Sequence, residues 1–231
     1  MRAAVVRSFG RPLSIEQMPI PTPGPHQALV KVAYTGVCHT DVHATRGDWP
    51  IPPALPFIPG HEGHGPVVAL GPDVSGVRIG DHLGGSWLAS ACGACSYCLA
   101  GDEPLCPAQK NSGYSFGGSF AEFMLVDTRY AARIPAGADP IGVCPILCAG
   151  VTAYKALKTT GARAGQWVVV SGIGAVGHLA VQYARAMGLH VAAVDVDEPK
   201  LALARKHGAE VTVNALNQNP GTELTAQIGG A

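Results

Sequence analysis

The rhythm of hydrophobic and polar positions changes partway along the chain. Up to about Leu147, short β-prone runs such as Ala28-Leu29-Val30-Lys31-Val32 and Pro66-Val67-Val68-Ala69-Leu70 recur between stretches rich in Gly and Pro. Many short strands separated by turn signals predict a β-rich, barrel-like domain, and helical periodicity is nearly absent there. Beyond it the pattern lengthens: residues 151–157 are helix-compatible, and Trp167-Val168-Val169-Val170-Ser171 is a buried-strand run leading into a Gly-rich turn. A helix-compatible stretch over 176–187, a strand over 190–194, a second helical stretch over 200–207 and a short strand over 211–213 follow. The order β-α-β-α-β, with right-handed crossovers, predicts a three-stranded parallel sheet, one half of a doubly wound dinucleotide-binding fold. The expectation is an α/β chain of two domains, residues 1–147 and 148–231, without internal repeats or low-complexity tracts.

Composition narrows the function. Lys+Arg and Asp+Glu balance at 16 each, so the chain lacks the basic field that nucleic acid or an anionic membrane surface requires. The N-terminus has no apolar core of signal-peptide length, and no stretch reaches roughly 18 uninterrupted apolar residues. The expectation is a cytoplasmic protein acting on a small molecule, with no nucleic-acid or membrane partner. In a reducing compartment the seven cysteines are poor disulfide candidates and better candidates for metal ligands.

Four of them, Cys92, Cys95, Cys98 and Cys106, form C-x2-C-x2-C-x7-C in a lobe that also holds Gly93, Gly101 and Pro104. Four thiolates this close can surround one tetrahedral cation at about 2.3 Å per Zn–S bond, and a full set of four leaves no open position. The pattern reads as a structural zinc site; an iron–sulfur cluster uses the same donors at different usual spacings.

Gly172-Ile173-Gly174-Ala175-Val176-Gly177 fits G-x-G-x-x-G between a predicted strand and a predicted helix, a context that matters in a chain with 30 glycines. Gly172 permits the turn, Gly174 lets the backbone approach a pyrophosphate, and Gly177 allows close helix packing, with the helix N-terminus facing the negative charge. Asp195 closes the next strand where a carboxylate would accept hydrogen bonds from the adenosine ribose and repel a 2′-phosphate. Val196 rather than an arginine follows it. NAD is therefore expected rather than NADP.

Three polar islands remain: Gly36-Val37-Cys38-His39-Thr40-Asp41-Val42-His43, Pro59-Gly60-His61-Glu62-Gly63 and Cys148-Ala149-Gly150-Val151-Thr152. Each alone is weak, since a lone Cys or His is more often a small core residue than a ligand. Together with the quartet and the Gly-rich turn, and in this order, they resemble the zinc-dependent medium-chain alcohol dehydrogenases of bacteria and yeast, along the whole chain. The resemblance implies a GroES-like catalytic domain followed by a partial Rossmann domain. It implies two Zn2+ ions per chain, one catalytic and one structural, with Cys38, His61 and Cys148 on the catalytic ion and Glu62 as an occasional fourth ligand. Two thiolates, one imidazole and an open position allow an alcohol to bind and ionise near neutral pH and then lose a hydride to NAD. The same resemblance places Asp41 behind His61, His39 at the pyrophosphate, Thr152 at the nicotinamide and Lys200 at the ribose. It routes a proton through the Thr40 hydroxyl, the nicotinamide ribose and His43. The alternative roles are a helix cap for Thr40, that helix's first-turn acid for Asp41, a solvated side chain for His43, a solvated helix lysine for Lys200 and a helix N-terminal hydroxyl for Thr152; on Thr40 and His43 the relay is favoured, because the chemistry needs a proton exit.

Trp49 and Trp87 resemble pocket aromatics that favour small primary alcohols, although each also suits ordinary core. His64 and His82 stand where the family more often carries an apolar residue and an arginine, and Cys144 has no assigned partner. Family members continue for about a hundred residues beyond Ala231, a typical domain's length. The expectation is thus a C-terminally shortened alcohol dehydrogenase acting on a small alcohol or aldehyde. The first strand of its sheet would be an edge, most of its nicotinamide pocket would be missing, and it would lack the strand that pairs subunits in the family's dimers and tetramers. Two alternatives remain: a polyol or formaldehyde dehydrogenase of the same superfamily, and a non-catalytic fragment that binds zinc and nucleotide.

Overall fold

From the N-terminus, β1 (Arg2–Val5) and β2 (Ser14–Gln17) pair as an antiparallel ribbon in a computed structural model of the chain that describes residues 1–229. The principal sheet of this half comprises β3 (Gln27–Lys31), β4 (Tyr34–Thr35), β5 (Gly63–Leu70), β6 (His82–Gly84), β9 (Phe123–Asp127) and β10 (Ala132–Arg133). Its order is β10-β6-β5-β3-β9 with β4 added to β5, and every pair is antiparallel. Ala28, Val30, Val67, Leu83, Met124 and Val126 turn inward from these strands to form the core, which the period-two alternation of β structure makes possible. A smaller ribbon, β7 (Leu88–Ser90) with β8 (Lys110–Asn111), brackets the cysteine lobe and its short helix α2 (Ser96–Ala100).

Helix is less scarce in this half than the sequence pattern suggests. Residues His39–Arg46 form α1, although only Asp41 and Ala44 of the helix are buried and no apolar stripe announces it. Its ends account for it: Cys38 Sγ accepts from the Thr40 N–H, the Asp41 carboxylate accepts from the Cys38 N–H, and Gly47 closes the helix in the left-handed conformation. Farther on, α3 (Pro140–Pro145), a π-helical turn (Ile146–Gly150) and α4 (Val151–Thr160) run end to end. This run, Pro140–Thr160, is long and apolar enough on average to cross a membrane by length and composition. Pro145 and the π-turn interrupt it, and Cys144, Leu147, Ala149, Ala153 and Leu157 are buried in the protein.

The chain divides into two compact units after Cys148. That is one residue beyond the boundary read from the sequence, and the Cys148 sulfur lies beside His61 and Cys38 of the first unit. In the second unit β11 (Trp167–Ser171), β12 (His190–Asp195) and β13 (Val211–Asn214) form a parallel sheet in the order β11-β12-β13. Between them run α5 (Ala175–Ala186) and α6 (Glu198–Lys206), and α7 (Pro220–Ile228) follows. Helix α7 went unread: none of its residues is buried, and its Asn219 cap is the main local signal. The central strand β12 is buried almost throughout, while β11 pairs on one side only among the described residues, with Val169 37% exposed. The asymmetry sets a test. Leu189→Ala, which empties a 2%-exposed core position, should cost about 2–5 kcal/mol in denaturant unfolding of this unit, and Val169→Ala well under half of that. Equal losses at the two positions would contradict the placement of the core.

Candidate metal centre

Three separate segments deliver one cluster. Cys38 lies at the N-cap of α1, His61 and Glu62 on the approach to β5, and Cys148 in the π-turn. One ligand atom from each of the four lies within 4.8 Å of all the others. Asp41, 3% exposed, organises two of these segments: its Oδ2 accepts from the Cys38 N–H at 2.9 Å, and its Oδ1 takes the Gly60 N–H at 3.2 Å and His61 Nδ1 at 2.9 Å. With Nδ1 so engaged, His61 presents Nε2 to Cys148 Sγ, 3.2 Å away. Gly36 leaves the room Glu62 occupies, since a Cβ there would lie 1.9 Å from Glu62 Oε2. The Cys38 and Cys148 sulfurs are 3.8 Å apart, the separation expected of two thiolates each about 2.3 Å from one tetrahedral ion. The donor set therefore fits zinc.

Electrostatics point the same way. Burial disfavours an imidazolium at His61, but the hydrogen bonds to Asp41 and Cys148 outweigh it and raise the pKa to about 10. Burial also works against the Cys38 thiolate, yet the hydrogen bond with Thr40 and the neighbouring His61 bring its pKa below the ordinary thiol value. Burial pushes Cys148 and Glu62 upward. Without a cation the cluster thus retains protons that a metal would have to displace.

The quartet forms the second group: Cys92, Cys95, Cys98 and Cys106 also converge within 4.8 Å. The Sγ separations Cys92–Cys98 and Cys95–Cys98 are 3.8 and 3.5 Å. Backbone N–H groups of Ala94 and Cys95 lower the Cys92 pKa to about 6, and desolvation with crowding by Cys95 pushes Cys98 up to about 12. Four sulfur donors fill a tetrahedral shell and leave no place for a substrate.

An aromatic wall lies beside the first cluster. Trp87 is edge-on to His61 with ring centres 5.3 Å apart, Trp49 packs on Trp87 at 6.0 Å, and Tyr114 packs on both at 5.2 and 5.7 Å. Nothing in the sequence marked Tyr114; only the fold brings it to the two tryptophans. Thr40 and His43 are three apart on α1, and His43 Nδ1 meets Asp48 Oδ2 at 2.8 Å in a half-exposed pair. His39 is exposed at the start of α1, its ring 4.8 Å from that of His43. His82 is exposed on β6.

The second unit holds the remaining expected residues. Gly172 is in the left-handed region, φ 86°, and Gly174 is the N-cap of α5. A Cβ on Gly177 would lie 1.9 Å from the Gly172 carbonyl oxygen, so glycine lets the helix press on the turn. Asp195 ties this turn to β12: Oδ2 accepts from the Ile173 N–H at 2.6 Å, and Oδ1 from the Val196 and Asp197 N–H groups at 2.8 and 3.0 Å. Those bonds lower its pKa, and Lys200 Nζ stands 3.9 Å from the carboxylate. Thr152 is exposed in the first turn of α4.

A β-rich unit with an incompletely enclosed Cys/His cluster, followed by a dinucleotide-type turn, defines the class of metal-assisted hydride-transfer enzymes. Comparison with known proteins specifies it. Residues 24–136 match the family described as alcohol dehydrogenase GroES-like domain, and residues 175–231 match the zinc-binding dehydrogenase family. The chain is 57% identical over 231 residues to an alcohol dehydrogenase of Moraxella sp. (strain TAE123), covering all of this chain and 68% of that protein. The structure of the alcohol dehydrogenase from Aeropyrum pernix superposes with a TM-score of 0.87 at 33% identity, over 100% of this chain and 69% of that one. A putative zinc-binding dehydrogenase from Sinorhizobium meliloti 1021, bound to NADP, superposes with a TM-score of 0.86 at 31% identity, over 98% and 65%. The chain therefore belongs to the zinc-type medium-chain alcohol dehydrogenase family, with a GroES-like domain and a partial Rossmann fold, and is an alcohol oxidoreductase. It spans about two thirds of the length of its relatives.

The raised pKa of His61 gives a signed expectation. Below about 10 the metal-free imidazole holds its proton, so metal binding here releases protons and apparent affinity climbs as pH rises through 6 to 9. Chelator competition across that range reads the slope. Asp41→Asn, which removes the charge behind His61, should weaken binding about 10–100-fold at neutral pH.

Proposed function

We propose that the chain binds two zinc ions, one at Cys38, His61 and Cys148 with Glu62 in reserve and one at the cysteine quartet, and interconverts a small alcohol and its carbonyl product with NAD. The convergence of the Cys38, His61, Glu62 and Cys148 donor atoms within 4.8 Å carries this reading. When bound, zinc supplies Lewis acidity that lowers the pKa of an alcohol hydroxyl, and NAD supplies the hydride acceptor.

The chain's own residues do the rest. Asp41 holds the Nδ1 proton of His61 and so directs Nε2 into the cluster, which spares the site any reorganisation of its ligands. Trp49, Trp87 and Tyr114 exclude water beside it and restrict substrate size. Thr40 and His43, one turn of α1 apart, are the groups that move the hydroxyl proton outward, with His43 releasing it toward solvent beside Asp48. His39 and the Gly172-Ile173-Gly174 turn are assigned to the pyrophosphate, Thr152 to the nicotinamide, and Asp195 with Lys200 to the ribose. The Asp195 charge favours a free 2′-hydroxyl over a 2′-phosphate. A cytoplasmic location suits seven cysteines of which none forms a disulfide.

A second reading, a zinc- and nucleotide-binding chain without turnover, draws on β11, which among the described residues pairs on one side only. Zinc per chain by elemental analysis, together with NADH formation from ethanol and NAD in one preparation, separates the two. Two zincs with turnover support the enzyme, two zincs without turnover support the second reading, and one zinc or none sinks the ligand assignment. Cofactor choice is tested by nicotinamide fluorescence titration: wild type should prefer NADH to NADPH, and Asp195→Asn should narrow that preference about tenfold or more, the loss of a charge contact worth about 1.4 kcal/mol. No preference in the wild type would refute the NAD assignment.

A further inference from the structure

Asp41 binds together the segments that supply Cys38 and His61, but Cys148 arrives from a segment outside that network. A different residue meets that segment. His64, on β5 and 1% exposed, donates from Nε2 to the carbonyl oxygen of Pro140 at 2.6 Å. Pro140 opens α3, which runs directly into the π-turn that carries Cys148. The Cys144 thiol donates to the same carbonyl at 3.7 Å. Directly opposite His64 in the β5–β6 register is Gly84, where a Cβ would lie 2.8 Å from both methyls of Leu147. One register position of the sheet therefore holds both ends of the segment, Pro140 through a hydrogen bond and Leu147 through close packing. The His64 ring is stacked on Tyr34 at 6.1 Å, and its Nδ1 is buried without a hydrogen-bond partner. An unmatched polar atom in the interior is unfavourable, and an apolar side chain here would avoid it. The Nε2 bond to Pro140 is what the histidine supplies in return.

We propose that His64 is a positioning residue for the metal cluster: by holding the Pro140 carbonyl it anchors the segment that delivers the Cys148 sulfur beside Cys38 and His61. It does for Cys148 what Asp41 does for the other two. The proposal rests on the reading of Cys38, His61 and Cys148 as metal ligands.

Cobalt(II) replacement in the full chain tests it, because cobalt held by two thiolates and an imidazole absorbs differently from cobalt held by four thiolates. His64→Leu should alter the two-thiolate spectrum and speed chelator-driven release of that metal about 10–100-fold, leaving the quartet's metal unchanged. His64→Gln, whose side-chain amide can donate in place of Nε2, should recover much of the wild-type rate. Gly84→Ala, which displaces Leu147 at the other end, should shift the same spectrum in the same direction, and decides the matter if His64→Leu loses both metals by misfolding. A His64→Leu protein with the wild-type spectrum and release rate overturns the proposal. A wild-type chain that binds cobalt only at the quartet overturns the ligand assignment itself, and the proposal with it.

Discussion

The buried Asp41 carboxylate is the constraint on which the rest of the first unit depends. It is nearly inaccessible, so its charge is tolerable only because three donors surround it: the Cys38 and Gly60 N–H groups and His61 Nδ1. Those donors come from both sides of a long loop. One carboxylate therefore caps α1, fixes the approach to β5 and orients a ligand imidazole. A change at any of the three would be felt by the others, because they share two oxygens in a low-dielectric interior.

The two cysteine-containing sites solve different problems with similar chemistry. The quartet draws all four sulfurs from one lobe framed by a two-stranded ribbon, and a closed S4 shell can hold that lobe where it has little apolar core of its own. The other cluster draws its donors from three distant segments, mixes sulfur with nitrogen and carboxylate, and lies beside aromatic rings rather than under a fourth thiol. An arrangement of this kind needs scaffolding from the whole unit. The structure supplies it through Asp41 on one side and the docking of residues 140–148 on the other.

In the second unit a carboxylate again joins separate elements. Asp195 accepts from the Gly-rich turn and from the residues after β12, so the turn and the sheet are mutually braced before any ligand arrives. Such bracing holds backbone N–H groups at the start of α5 in place, which is what phosphate recognition at a helix N-terminus demands.

Much of this was readable from sequence where the signal is local. The parallel strands and their helices emerged within a residue or two of their observed ends, because buried strands and amphipathic helices have distinct periods. The quartet was legible because its four ligands lie in one short lobe, and the dinucleotide turn because its glycines answer steric demands of the turn itself. Helix α1 showed only as a possible cap at Thr40, two residues past the Cys38 that caps it, because capping rather than an apolar stripe holds it. The second metal cluster was suggested only by family resemblance, since its segments are separated by long stretches of chain. Tyr114 against the tryptophans left no sequence trace, and His64 against Pro140 left only a histidine where the family more often carries an apolar residue. Sequence alone determined what depends on neighbours along the chain: element periods, the glycine turn and the cysteine lobe. Tertiary structure decided what depends on partners distant in sequence, the meeting of Cys38, His61, Glu62 and Cys148 and the groups that hold them, because such contacts exist only once the sheet has brought the segments together.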